Sequence, residues 1–341
     1  MKKRVKRNTK SKNKTYKKTP VIIKTRKKTR KVIKKKGGNN SKNKTKEPFK
    51  KLQCAPKAKN ETQENEIREF SCYTKDALFK MRDLWNARHK DTMITDKTPK
   101  NIWKNLKDKM KGACYNEYCW LKQKFMENNL TDELSTYTFA PKSPLKWKEN
   151  HNTWLNSNDI EKVMKQYEHI YPCFRFIGPT PIDFDKHIYE NKCVWDDLCQ
   201  FDLLKYINHG ISKIGIIFNT DPHDKSGAHW ISLFIDLKKK FIFFFDSNGT
   251  TIPKEVKYFC NRVISQALQI KTKQYPNGIK LKYDLNAPFI HQESNTECGM
   301  YSLYLIITLL KDIHEYMFFK TTKITDQLMD NLRDKYFNSD M

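Results

Sequence analysis

Two periodicities divide the chain. Between residues 61 and 135 the apolar positions recur at helical spacing: Ala77, Leu78, Met81, Leu84 and Trp85, then Ile102, Trp103, Leu106 and Met110, then Tyr118, Trp120 and Leu121. Steps of three and four residues put such side chains on one helix face, so three helical stretches are expected. Thr98 and Pro99 suit the cap and first turn of the second. A further helix is expected at Asp159, which can cap a segment carrying Ile160, Val163, Met164 and Tyr167. The pattern then changes. IGIIF (214–218), HWISLFID (229–236) and KFIFFFD (240–246) read as strands, and the LKK joining the last two is short enough for a hairpin. From Cys298 an almost uniformly apolar run reads as a buried helix. Strands gathered between helical blocks predict an α+β fold rather than a doubly wound parallel sheet.

Three regions follow: an arm over 1–55, a helical subdomain over 56–148, and a strand-bearing domain over 149–341, with the Pro-punctuated FAPKSPLKW (139–147) as linker. Charge sharpens the first boundary. Residues 1–50 hold 23 Lys/Arg against one acidic residue, Glu47, and so carry +22 of the net +28. A segment with so little apolar content cannot offset its ordering entropy, and disorder is expected. Such an arm favours polyanions through counterion release, which makes nucleic acid an expected partner of residues 1–50; a nuclear localisation signal or a merely solvated arm are the other readings.

The run Met300–Leu310 is interrupted by Tyr301, Ser302, Tyr304 and Thr308 and falls short of the roughly 18 apolar residues of a membrane span. No span is expected. The nine cysteines include no CxxC pair, and Cys114/Cys119 and Cys193/Cys199 have no accompanying His cluster, so neither a metal site nor a cofactor is expected. Their odd number, without an apolar leader, predicts a reducing, intracellular or virion-interior setting.

Candidate chemistry gathers in the second half. A thiol nucleophile needs a thiolate near neutral pH, a base in reach and donors aimed at the developing oxyanion. Cys298, at the start of a helix, gains from the helix dipole, and Gly299 leaves room for an approaching carbonyl. His229 opens one strand of the expected hairpin and Asp246 closes the other, so imidazole and carboxylate can meet at one end of it. Asp246 would then fix the imidazole tautomer, and Gln292 would add an amide donor beside the Cys298 N–H. Singly, each has a plain structural explanation: packing for the Cys, surface for the His, a turn for the Asp.

Together, HWISLFIDLKKKFIFFFDSNGT and QESNTECGMY resemble the SUMO-deconjugating cysteine proteases and their relative, the adenoviral proteinase. That family orders its triad His, Asp, Cys with a Gln ahead of the Cys; the separations here, 17 from His229 to Asp246 and six from Gln292 to Cys298, match the SUMO-protease branch. The resemblance implies that Trp154, in WLN, and Trp230, after the His, flank a narrow tunnel for a Gly-Gly end. SCYTKDALFKMRDLWN, ACYNEYCWL and WLNSNDIEKVMKQYEHIYPCF are similar to versions in large cytoplasmic DNA viruses, which implies cleavage of core and capsid precursors after Gly-Gly-type sites, in the virion and at cytoplasmic assembly sites. The alternatives are a protease of SUMO or ubiquitin-like tails and, outside enzymes, a non-catalytic polyanion-binding protein.

Overall fold

The computed structural model describes residues 48–57, 66–126, 131–189, 192–339 and 341. All belong to a compact unit running from Lys46 to Met341. The basic arm lies outside the described residues up to position 47. Its expected last stretch is folded instead: Leu52 and Ala55 are buried, and the Ala55 N–H donates to the Thr138 carbonyl at 3.0 Å.

The expected N-terminal helices form as α1 (Lys75–Arg88) and α2 (Pro99–Lys109). Thr74 and Thr98 cap them, each hydroxyl accepting from the backbone N–H three residues on. Ala77, Leu78, Met81, Trp85, Ile102 and Leu106 face a core of their own with Tyr73, Trp120 and Phe139. The third stretch differs from expectation: Tyr118–Lys122 and Lys124–Met126 are 3-10 turns, followed by α3 (Thr131–Tyr137). Glu117 explains part of this. Its buried carboxylate accepts from Ser71 Oγ (2.6 Å), Cys72 N (3.1 Å) and Trp103 Nε1 (2.7 Å), which ties the turn to the segment before α1 and to α2.

Residues 139–147 are not a free linker. Phe139, Ala140 and Trp147 are buried, and the Asn338 side chain donates to the Gln53 and Ala140 carbonyls while accepting from Gln53 N. These bonds join the segment around Asn338 to the one around Gln53, at the start of the described residues.

The remainder is built on a five-stranded mixed sheet, in keeping with an α+β fold. Its strands are β1 (Phe174–Pro181), β4 (Lys213–Asn219), β5 (Trp230–Asp236), β6 (Phe241–Phe245) and β7 (Lys282–Leu285), in spatial order 1-4-5-6-7; β2 (His187–Tyr189) and β3 (Lys192–Cys193) form a separate pair. The β4–β5 and β5–β6 ladders are antiparallel, and the outer β1–β4 and β6–β7 ladders are parallel. The helices are α4 (Ser157–Ile170), the short α5 (Asp196–Cys199) and α6 (Leu203–Asn208), α7 (Lys254–Gln269), α8 (Cys298–Leu310), α9 (Phe318–Thr321) and α10 (Asp326–Tyr336). Asn156, not Asp159, caps α4; Asp159 instead accepts from the Asn156 N–H, completing a reciprocal capping box.

Burying both faces of the sheet sets the site's geometry. α8 lies on one face, where Leu303 and Ile306 join Phe234 and Phe243, and α7 covers the other with Val256, Phe259 and Val263. Gly215 permits the close approach on the α8 side, since a Cβ there would meet Ile306 Cγ2 at 2.8 Å. At the far end of α8, the buried Lys213 amine donates to the Leu309 and Leu310 carbonyls (3.2 and 3.0 Å) and pairs with Asp312. That fixes one end of the helix, and its N-terminus, with Cys298, lies at the end of the sheet where β5 begins.

Candidate active site

The β5–β6 register aligns Ser232 with Phe245, and the strands stop at Trp230 and Phe245. His229 and Asp246 therefore leave the sheet at the same end. Their side chains meet there, His229 Nε2 to Asp246 Oδ1 at 2.7 Å. Asp246 is 2 % exposed and fully engaged: Oδ1 also accepts from Asn248 N (2.9 Å), and Oδ2 accepts from Thr250 Oγ1. Burial would raise its carboxyl, but the His229 bond and charge, with those from Thr250 and Asn248, hold it below its ordinary value.

Burial likewise works against charge on His229. The hydrogen bonds and charges of Asp246 and Cys298 outweigh it and push the imidazole up to about 9. Nε2 is taken by Asp246, which leaves Nδ1 as the ring nitrogen available to Cys298. Cys298 is the first residue of α8 and one of three cysteines without a disulfide. Of the other two, Cys260 is buried among apolar side chains, and desolvation pushes its thiol up to about 12.

Gln292 is buried with its amide oriented. Oε1 accepts from Ser247 Oγ (2.7 Å), and Nε2 donates one hydrogen to the Ser294 carbonyl (2.7 Å), leaving the second. Asp246 and Ser247 are consecutive, so one strand end orients both the imidazole and the amide. Asn286 secures that strand end from below: its side chain accepts from Asp246 N (2.9 Å) and donates to Asp246 O (2.8 Å).

Trp154 and Trp230 line one cleft of about 670 Å³ together with Leu155, Pro179 and Gly227. Trp154 is 42 % exposed and Trp230 is buried, its indole N–H donating to the Leu155 carbonyl at 3.0 Å. Gly299 lies against both walls: a Cβ would sit 3.2 Å from Leu155 Cβ and 3.3 Å from Trp230 Cδ1. Tight wall packing therefore favours glycine after Cys298, in addition to the room for substrate approach expected from the sequence.

The cysteine expectation changes. Cys54–Cys72, Cys114–Cys119 and Cys193–Cys199 are disulfide pairs, so the odd count reflects three pairs and three free thiols, and its support for a reducing setting falls away. A histidine does accompany one pair: His187 Nε2 lies 3.9 Å from Cys193 Sγ, within a His187/Cys193/Cys199 cluster. Both sulfurs are spent in the disulfide, and the remaining imidazole does not make a metal site.

No helix among the described residues is long and apolar enough to cross a membrane.

Comparison with known proteins agrees with this architecture. The C-terminal catalytic domain of the Ulp1 protease family matches residues 205–341. A protein of Acanthamoeba polyphaga mimivirus assigned to the thiol proteases is 30% identical over 244 residues, 70% of this chain and 75% of that one. The SUMO-1 cysteine protease of African swine fever virus is 28% identical over 267 residues, 73% of this chain and 92% of the relative. The selenomethionine crystal structure of an African swine fever virus protease superposes with a TM-score of 0.57 at 23% identity, covering 84% of this chain and 95% of that one, which bears on the fold. Fold and relatives together define a cysteine protease acting on protein substrates. The chain belongs to the Ulp1 protease family.

Proposed function

We propose that this cysteine protease is an endopeptidase that cleaves after Gly-Gly-type sites in viral core and capsid precursors during virion assembly. The observation that carries the reading is the cleft lined by Trp154 and Trp230 beside the Cys298–His229–Asp246 cluster. Large rings at the site of the residues before the cut select glycine by excluding side chains. Relatives in Acanthamoeba polyphaga mimivirus and African swine fever virus support a viral setting; the assembly site and the virion are the proposed location.

In the proposed reaction the Cys298 thiolate attacks the scissile carbonyl carbon, forming an S–C bond and an oxyanion. The Cys298 N–H and the free Gln292 amide hydrogen donate to that oxygen. His229, charged at neutral pH, gives its proton to the amide nitrogen as the C–N bond breaks, leaving a thioester. Water then attacks the thioester, His229 takes the water's proton, and the thiolate departs. Asp246 keeps the imidazole oriented and stabilises its charge throughout.

A second reading, removal of SUMO or ubiquitin-like tails, is favoured by the African swine fever virus relative, a SUMO-1 cysteine protease. The same site serves both. Mass spectrometry of candidate precursors incubated with wild type and with Cys298→Ala tests the first reading, and turnover of a Gly-Gly-X peptide against SUMO–coumarin separates the two. Rapid SUMO–coumarin turnover with intact precursors would shift the assignment to the second. Membership of a protease family removes the non-catalytic alternative, and nucleic-acid binding by residues 1–50 stands as a separate proposal for the arm.

A further inference from the structure

One buried cation ties the segment leading into Trp154 to the residue before Cys298. Arg333, on α10, is fully buried, and its Nε and Nη2 both donate to Glu297 Oε2 (3.0 and 2.7 Å). Glu297 is the residue immediately before Cys298, and its carboxylate makes no capping bond to α8. Nη1 of the same guanidinium donates to the Thr153 carbonyl at 2.9 Å, the residue immediately before Trp154. Nη2 also reaches the Thr296 carbonyl at 3.4 Å, and the group stacks 4.6 Å from the Trp147 ring.

The Trp154 backbone is consequently pinned on both sides. Thr153 O accepts from Arg333 and from Trp147 Nε1 (3.2 Å), and Leu155 O accepts from Trp230 Nε1. The half-exposed ring between them projects from a fixed segment. α10 reaches the oxyanion side as well, because Asp326 at its first turn accepts from Glu293 N (3.2 Å) and Ser294 N (2.7 Å), just after Gln292.

We infer that Arg333 is a specificity-determining positioning residue: it sets the spacing between the Trp154 wall and Cys298, and hence how large a side chain fits before the scissile bond. A guanidinium suits the task. Its planar fork can hold a carboxylate and a carbonyl in fixed relative positions, whereas an ammonium is a point charge on a flexible stem. The inference rests on the glycine-selective reading of the cleft, and the test separates the two.

The experiment compares wild type, Glu297→Met/Arg333→Met and Arg333→Lys. Replacing a buried ion pair by apolar side chains of similar length is neutral or stabilising, so the double variant is expected to keep its Tm while losing the tie to Thr153. Its kcat/KM on a Gly-Gly peptide should fall at least about tenfold, and its preference for Gly over Ala before the cut at least about fivefold. Alkylation of Cys298 by iodoacetamide should stay within about twofold, because that reagent does not use the Trp154 wall. Arg333→Lys should lose part of the preference. A folded double variant with wild-type kcat/KM and preference overturns the inference, as does alkylation that falls in step with cleavage. If the double variant does not fold, Arg333→Lys decides, and wild-type selectivity in it overturns the inference. A wild type indifferent to Gly and Ala overturns the Gly-Gly reading itself, and Arg333 is then judged by kcat/KM on the substrate that is cut.

Discussion

His229 Nε2 and Asp246 Oδ1 lie 2.7 Å apart at the end of the β5–β6 hairpin, a contact fixed by strand register rather than by a flexible loop. The pH behaviour follows from it. His229 is raised from its ordinary 6.5 to about 9, so the stability it contributes is fully present below 6.5 and is lost as pH rises through about 9. Asp246 is held below its ordinary 3.8, so its contribution is present above 3.8 and is lost as pH falls further. Asp246→Asn removes the charge that supports the imidazolium. NMR titration should show the His229 transition near 9 in wild type and lower in the variant, with peptide cleavage falling by about 10²-fold or more. An unmoved transition would mean that Asp246 does not hold the imidazolium.

Gln292 and Ser247 are expected to fail together. Gln292→Ala should lower kcat by about 10²-fold, up to 10³, with little change in KM, since the donated bond strengthens mainly in the transition state. Ser247→Ala leaves the amide held only through its bond to the Ser294 carbonyl and should give a smaller loss of the same kind. Unchanged kcat in Gln292→Ala would remove the amide from the mechanism.

Much of this was legible in the sequence because it is local. The hairpin strands, the His229-to-Asp246 separation and the apolar run after Cys298 are all carried by contiguous residues. What holds them is not local. Asn286 reaches back 40 residues to Asp246, Ser247 reaches 45 ahead to Gln292, and Arg333 reaches 36 back to Glu297, and no period signals such pairings. β1 was missed because FRFIGPTP carries Gly178 and two prolines, which read as a break, and it pairs with β4 in parallel, without a hairpin to announce it. The disulfides were missed for a related reason: connectivity depends on which backbones meet, and sequence spacing alone leaves it open.

Trp230→Ala should widen the slot, relaxing the glycine preference or abolishing productive binding, since the indole also holds the Leu155 carbonyl. A peptide library measured on wild type provides the check. Acceptance of Leu or Phe at both positions before the cut would contradict selection by exclusion.

The basic arm should separate from catalysis. Deleting residues 1–50 is expected to leave peptide kcat/KM within a few-fold of wild type, while nucleic-acid affinity drops sharply. Binding by the intact chain should weaken steeply between about 50 and 200 mM salt, as counterion release requires. If the truncated protein binds DNA as tightly as the full chain, the folded unit carries the basic surface instead. Phe49 packs on Trp103 and Trp120, and Leu52 and Ala55 are buried, so a second deletion ending at residue 47 serves as the control that spares these contacts.

The central claim is that Cys298 is the nucleophile, and competitive alkylation followed by peptide mass mapping tests it most directly. Limiting iodoacetamide near neutral pH should modify Cys298 first among the three free cysteines, with activity lost in proportion to that modification. Cys298→Ala and Cys298→Ser should be inactive yet folded, and should no longer take up the fast-reacting label. Fast labelling at Cys173 or Cys260 instead, with Cys298-alkylated enzyme still cutting its substrate, would contradict the account.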